Sequence, residues 1–176
     1  MRILIFLFIS TFCCAQKTFL ENSKLSFFSA APLEDISAVS NKLQGVVDFE
    51  NGIFFFRVPI NTFVFPSSLM QKHFNEKYMD SEKYSLSFFK GSFNNIINIS
   101  KNQQTKINAQ GILNIHGVDQ NVTIETELNI QDETVNFKST FDVYLKDFKI
   151  KVPKIVSMNI ADTIQVNVSG ILKERN

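Results

Sequence analysis

The sequence predicts a mainly β protein, in which eight antiparallel strands form a barrel or a sandwich with one or two short helices over an open end. Two observations predict the strands. Apolar and polar residues alternate from residue 17 onward, and short polar turn segments separate the alternating runs. A third observation predicts a helix, because one interruption near residue 70 has apolar residues spaced by four. Strands with one apolar and one polar face are typical of antiparallel barrels and sandwiches.

The alternation divides the chain into eight predicted strands. The clearest is 121–130, where every second residue from Val122 to Ile130 falls on one largely apolar face. Asn51-Gly52 is a turn of the type that joins hairpin strands, and residues 131–133 form a second short polar turn. The predicted strands, in chain order, are 24–27, 43–50, 53–60, 84–93, 106–115, 121–130, 134–145 and 163–172.

The interruption over 68–79 is predicted to be a short amphipathic helix. Ser68 and Gln71 have the spacing of a capping box. Such a helix would either lie across an open end of the barrel or plug its core, and the sequence leaves both open. Residues 29–41 also lack a strand pattern, so 30–36 predicts a second short turn or helix over a rim. Three apolar residues share the face of the main helix: Met70, Phe74 and Tyr78.

Residues 1–15 are predicted to be a secretory signal peptide. Arg2 precedes the apolar run 3–9, and small residues before Gln16 predict cleavage there. The apolar run is shorter than the roughly 20 residues that a membrane-spanning helix needs. A lipoprotein signal and an uncleaved anchor are the alternatives. We therefore expect a periplasmic or secreted protein.

Cleavage would remove both cysteines, Cys13 and Cys14. The exported domain, 16–176, would then contain no disulfide and would depend on core burial for its stability. It would also have no membrane span.

Composition excludes several classes of protein. With 44% hydrophobic and 20% charged residues, the chain is neither disordered nor a polytopic helical membrane protein. The formal net charge of +1 argues against a non-specific nucleic-acid binder. An outer-membrane barrel is disfavoured because the chain has no Trp and only 3 Tyr to form interfacial girdles.

Phenylalanine dominates the aromatic residues, with 19 in the chain. An eight-stranded barrel either packs solid or holds one small ligand, so inward Phe residues are either core or the wall of a cavity. A wall of Phe without Trp or Tyr offers no hydrogen-bond donors, which suits a long hydrocarbon. The sequence leaves a filled barrel and a hollow one open at this point.

Few residues could support catalysis. His73 and His116 are the only histidines, and His73 with Glu76 is a weak metal pair that a solvated helix face explains better. His116 is predicted to begin a turn. The charged stretch 147–153 is either a solvated edge ended by Pro153 or a rim where lysines meet an anionic head group. We expect no enzyme activity, no cofactor and no metal site.

Several segments together resemble the YceI-like family of lipid- or polyisoprenoid-binding proteins, in the branch of exported members with a His-Phe-Asn-Glu segment. The resemblance spans essentially all of 16–176 in the order of the family. The ordered set of motifs carries it: 31–36, 70–79 with Lys83-Tyr84 and Phe89-Lys90-Gly91, 111–117 and 148–153.

The resemblance implies a lipocalin-like antiparallel barrel with a long internal tunnel, and no catalytic residues. It predicts an exported carrier whose partner is a polyisoprenoid, quinone or fatty-acyl lipid. The alternative is a solid structural or interaction barrel at the cell envelope without a lipid ligand, and the oligomeric state stays open between monomer and homodimer. The residues predicted to line the tunnel are Phe54, Phe56, Met70, Phe74, Tyr78, Phe88, Leu113, Ile124, Phe137, Phe141 and Val166.

Overall fold

The computed structural model describes four ranges of the chain: 17–30, 35–94, 97–152 and 161–174. Parts of the sequence-based predictions lie outside these ranges, namely the signal peptide over 1–15, the cleavage site before Gln16, residues 31–34 of the rim segment, and Pro153.

Within these ranges the chain forms nine strands, and the alternation of side chains explains why. In β7 and β8, for example, buried and exposed residues alternate almost without interruption. The strands are β1 (Lys17–Ser29), β2 (Ile36–Ser40), β3 (Gln44–Asp48), β4 (Ile53–Pro59), β5 (Leu86–Ser92), β6 (Gln103–Ile115), β7 (Val118–Gln131), β8 (Thr134–Tyr144) and β9 (Thr163–Glu174).

Eight of the strands close into an antiparallel barrel, which confirms the predicted fold class and decides between barrel and sandwich. The order around the barrel is β1, β3, β4, β5, β6, β7, β8 and β9, and β9 pairs back with β1. The register of β1 against β9 shifts between Glu21 and Lys24, where Asn22 has a φ of 46°. Of the nine described strands, only β2 lies outside the closed barrel, paired with residues 25–29 of β1.

The prediction that 29–41 contain no strand was wrong, because β1 ends at Ser29 and β2 spans Ile36–Ser40. Each face of β2 mixes apolar and polar residues, with Ala38 and Ser40 on one face and Ser37 and Val39 on the other, so no period of two is visible in the hydropathy. Ala38 and Ser40 are nevertheless buried, at 2% and 1% exposure, and Val39 forms a bridge with Val64. β2 is therefore a short strand whose two fully buried residues are small.

The predicted helix is present but shorter. Helix α1 (Ser68–His73) runs into a π-helical turn (Phe74–Tyr78), and together they span the connection between β4 and β5. The predicted capping box was wrong by one residue: Ser67 is the N-cap, and its Oγ accepts from the Met70 N–H at 3.4 Å. The Gln71 side chain instead accepts from the Phe65 N–H. We call the end of the barrel that carries α1 the lid end, and the opposite end the closed end.

Asn51-Gly52 forms the turn between β3 and β4, as the sequence predicted. This turn lies at the closed end. Gly52 has a φ of 64°, which favours glycine. The Asp48 carboxylate accepts from the side-chain N–H and the backbone N–H of Asn51, each at 2.9 Å. These bonds hold the pKa of Asp48 below its usual 3.8.

Apolar residues inside the barrel form two clusters. The closed-end cluster includes Ile130 and Val135, both at 0% exposure, and it seals the barrel beneath the β7–β8 turn. The lid-end cluster packs the inner faces of the strands against α1 and the residues that precede it. Phe56 and Phe89 pack against both clusters and so lie at the boundary between them.

Candidate functional site

A cavity of about 610 Å³ occupies the barrel interior. Its lining includes Met70 and Phe65 at the lid end and Phe49 and Leu172 at the closed end, so it extends along the barrel as a tunnel. The volume lies within the range of about 300–1,000 Å³ that is typical of ligand sites. The barrel is therefore hollow in part, and the tunnel is the candidate functional site.

Two aromatic rings narrow this tunnel. Phe56 on β4 and Phe137 on β8 belong to strands that are not neighbours, yet their ring centroids are 5.6 Å apart, so the rings meet across the interior. Phe56 is in register with Gly45, and Phe137 is in register with Gly170. A Cβ on either glycine would collide with the neighbouring ring, so each glycine leaves the space that a ring fills. We call this contact the Phe56–Phe137 constriction.

A second group of rings covers the lid end. Phe74, the first residue of the π-helical turn, lies 5.0 Å from Phe65, 5.5 Å from Phe27 and 5.7 Å from Phe63, measured between ring centroids. These spacings are those of favourable aromatic contacts. These ring contacts hold α1 and the π-helical turn across the lid end of the tunnel. We call these four residues the lid cluster.

The tunnel wall carries no charge between its two ends. Among the described lining residues, only Arg57 and His73 have basic side chains and none has an acidic one. Arg57 is exposed on the outer face of β4, where its Nε donates to Gln44 Oε1 at 2.9 Å. His73 belongs to α1 at the lid end. The interior therefore suits an uncharged ligand segment.

Besides Ser29 at the lid end, whose Oγ accepts from the Ala161 N–H at 2.9 Å, three buried hydroxyl groups interrupt the apolar wall. Thr126 and Ser139 hydrogen-bond to each other across β7 and β8, with their Oγ atoms 2.8 Å apart. Ser87 Oγ on β5 is buried without a hydrogen-bond partner among the described residues. All three residues line the tunnel.

All eleven residues that the sequence nominated border the tunnel. Phe88 differs from the other ten, because its ring stacks on exposed Phe55 on the outer face, with centroids 6.3 Å apart. Its neighbour Phe89 is the inward residue: it pairs with Phe56 and Leu113, and its ring lies 4.7 Å from that of Phe54. In β5 the inward-facing side chain is therefore that of Phe89, one residue after the Phe88 that the sequence predicted.

The remaining residues that the sequence singled out are His73, Glu76 and His116. His116 has a φ of 53° in the β6–β7 turn, as predicted, and its ring lies 4.5 Å from that of Tyr84. His73 is half-buried, whereas Glu76 is exposed. In the part of the chain that is described, no three His, Cys, Asp or Glu side chains lie close enough together to hold a metal ion.

The charged stretch 147–153 lies at the lid end as far as residue 152. Phe148 and Ile150 are buried in the lid-end cluster, while Lys149 and Lys151 are exposed. Alternating buried apolar and exposed basic residues therefore place two lysines at the rim of the tunnel.

Sequence reasoning missed several residues of the site. Phe63 and Phe65 lie in the irregular segment before α1, where their spacing of two was the available signal. The inner position of Ser139 was also readable, because it falls between Phe137 and Phe141 on the predicted apolar face of β8.

Within the described ranges, no helix combines the length and the apolar character needed to cross a membrane.

Comparisons with known proteins agree with this geometry. The family model described as a YceI-like domain matches residues 20–171. A comparison with curated protein sequences gave no match.

Solved structures share the fold. A polyisoprenoid-binding domain from Saccharophagus degradans, implicated in plant cell wall breakdown, has a TM-score of 0.77 at 11% identity, over 92% of this chain and 100% of that one. Burkholderia cenocepacia BcnA has a TM-score of 0.72 at 18% identity, over 85% and 95%. A Campylobacter jejuni YCEI protein has a TM-score of 0.58 at 15% identity, over 100% and 94%. At these identities the likeness concerns the fold.

Proposed function

Because the chain belongs to the YceI-like family, we propose that it is a carrier that holds one long apolar chain inside its barrel. The ligand class is a polyisoprenoid, a quinone or a fatty-acyl lipid. The polyisoprenoid-binding domain from Saccharophagus degradans, which has the same fold, supports that class. The proposal gives the tunnel a binding role and no chemical step.

The observation that carries the proposal is the continuous apolar tunnel of about 610 Å³. An apolar cavity of about 150 Å³ accommodates benzene, so this tunnel holds several times as many carbon atoms. Each buried CH₂ contributes about 0.8 kcal/mol, so about ten of them supply roughly 8 kcal/mol before the entropy of association is subtracted. A long hydrocarbon can therefore bind without specific polar contacts.

The proposed ligand contacts the protein toward both ends of the tunnel. The lid cluster covers the hydrocarbon chain of the ligand at the lid end, and the Phe56–Phe137 constriction narrows the tunnel toward the closed end. We propose Phe89 as a contact in place of Phe88, since the ring of Phe89 faces inward. The proposed contact residues are Phe54, Phe56, Met70, Phe74, Tyr78, Phe89, Leu113, Ile124, Phe137, Phe141 and Val166.

We also propose that the carrier works outside the cytoplasm, after removal of residues 1–15. The signal-like composition of that segment supports export. The mass of the protein recovered from the producing cell tests this proposal. A mature N-terminus at Gln16 is expected, and an N-terminus at Met1 in a cytoplasmic fraction would contradict it.

A pair of variants tests whether the tunnel is the binding site. Val166 on β9 faces the tunnel, while its neighbour Gln165 is exposed on the outer face. Val166→Phe should fill the tunnel and reduce binding of the fluorescent hydrocarbon diphenylhexatriene at least tenfold, with little loss of stability because the ring enters empty space. Gln165→Phe, the matched control, should bind like the wild type.

A solid structural barrel predicts a different result. Overpacking a filled core costs about 1–3 kcal/mol, so Val166→Phe would then destabilise the protein strongly, and neither the wild type nor the variants would bind the probe. That outcome would replace the carrier by a structural role.

A further inference from the structure

The hydrogen-bonded pair Thr126 and Ser139 stands out against its surroundings. Thr126 lies between Ile124 and Leu128 on the inner face of β7, and Ser139 lies beside Phe137 on the inner face of β8. Thr126 is 9% exposed and Ser139 is 7% exposed, and both border the tunnel. Two polar groups are therefore buried together between apolar neighbours on both strands.

The pair has hydrogen-bonding capacity that it does not use internally. Each hydroxyl has one O–H and two lone pairs, and the single bond of 2.8 Å between them uses one O–H. Among the described residues, neither hydroxyl has a second partner. One O–H is thus left to donate toward the tunnel, and burying such a donor unsatisfied is unfavourable.

The pair lies deep in the tunnel, on the lid side of the Phe56–Phe137 constriction. Thr126 is eight residues along β7 from Val118 and Ser139 is five residues along β8 from Tyr144, which at roughly 3.4 Å per residue and a tilt of about 40° puts the pair about 13–20 Å below the lid end. No charged side chain among the described lining residues is available at that depth. An ionised group would be strongly disfavoured there.

We propose that Thr126 and Ser139 form a hydrogen-bonding subsite for an uncharged oxygen atom at the buried end of the ligand. The inference rests on the proposed carrier function and narrows it. The ligand is a long apolar chain that ends in a hydroxyl or carbonyl group, bound with that end inside the barrel and with the chain extending toward the lid cluster.

Three probes with the same sixteen-carbon chain test the subsite: hexadecanol, hexadecane and palmitate. Each is titrated against diphenylhexatriene bound to the purified full chain, since that probe has no polar group of its own. Hexadecanol should displace the probe at about a fivefold lower concentration than hexadecane, the effect of one net hydrogen bond. Palmitate, which is ionised at neutral pH, should compete less well than hexadecanol.

Variants then test whether Thr126 and Ser139 cause the preference for hexadecanol over hexadecane. Thr126→Val combined with Ser139→Ala should remove the preference for hexadecanol while hexadecane binding stays within twofold. Ser139→Ala alone gives a second reading if the double variant does not fold. Thr140→Val is the matched control, because the Thr140 hydroxyl lies on the outer face and donates to Asn167 Oδ1 at 2.8 Å.

The outcomes separate the subsite from the carrier function. Equal displacement by hexadecanol and hexadecane in the wild type, or a preference that survives in the double variant, overturns the subsite and leaves the carrier. Tightest binding by palmitate overturns the uncharged end group. If neither the fluorescent probe nor any of the three chains binds, the carrier function itself is overturned.

Discussion

The aromatic ring of Phe56 lies over Gly45, its partner in the antiparallel register of β3 and β4. Because glycine lacks a Cβ, the ring can lie against the barrel wall at this point. Phe137 has a similar relation to Gly170 on β9, where a Cβ would meet both Leu20 and the Phe137 ring. The two large–small pairs together place the rings 5.6 Å apart and set the width of the constriction.

Gly45→Ala should force the Phe56 ring away from the wall and into the tunnel. We expect the free energy of unfolding to fall by about 1–3 kcal/mol, as for other overpacked sites, and diphenylhexatriene binding to weaken. Urea denaturation and fluorescence titration measure the two effects. In a Phe56→Leu background the same glycine substitution should be nearly neutral. An equal cost in both backgrounds would show that Phe56 is not what Gly45 accommodates.

Phe56→Ala should widen the constriction. Truncation of a fully buried Phe costs about 3–5 kcal/mol, but Phe56 is only half-buried beside a cavity, so we expect about 2 kcal/mol for the lipid-free protein. Chains that co-purify with this variant should be longer on average, as judged by mass spectrometry. A loss of 3–5 kcal/mol with no change in bound chains would instead indicate a filled core.

Val135→Ala is the matched control for that experiment. Val135 is fully buried in the closed-end cluster and is not among the residues that line the tunnel. It should lower stability without altering the length of the bound chains.

Phe74→Ala should loosen the lid. The substitution removes the contacts of Phe74 with three other rings, and loss of even one of them, worth about 1.4 kcal/mol, would speed ligand release about tenfold. Transfer of diphenylhexatriene from the protein to phosphatidylcholine vesicles, followed by stopped flow, measures that rate. Lys77→Ala, an exposed position on the same turn, should leave it unchanged. Identical release from wild type and Phe74→Ala would remove the lid cluster from the release step.

Asp48 should give stability a dependence on acid pH. Its bonds to Asn51 lower the folded pKa below the usual 3.8, so the ionised form stabilises the fold above that usual value. This contribution is lost as the pH falls through the folded pKa. Chemical denaturation at several pH values should therefore show a steeper loss for the wild type than for Asp48→Asn below about pH 4. Parallel curves for the two proteins would contradict this role.

The sequence allowed most of the barrel to be predicted, because an inner face that is apolar at every second residue leaves a visible period. Where two consecutive residues are both apolar, the alternation does not show which of them faces inward. Phe88-Phe89 is such a pair. Only the register with Leu113 and Phe56 decides that Phe89 faces inward. β2 was missed for the opposite reason, since its buried residues, Ala38 and Ser40, are small.

Contacts across the barrel depend on how the strands close into a barrel. The local pattern of apolar and polar residues does not specify this. The Phe56–Phe137 constriction joins β4 to β8, and no turn connects those strands. The pair Thr126 and Ser139 is different, because both flank the short turn at Asp132-Glu133 and the hairpin register brings them opposite each other. A tunnel polar group can thus be found from a hairpin, whereas a tunnel constriction requires the folded barrel.

We propose that one chain of this protein holds one long apolar molecule. Native mass spectrometry of protein purified without detergent, followed by organic extraction of the same sample, measures this directly. We predict a complex heavier than the polypeptide by the mass of one uncharged long-chain lipid, which is then recovered in the extract. A bare polypeptide mass, an empty extract and no uptake of added prenol or fatty alcohol would contradict a carrier function.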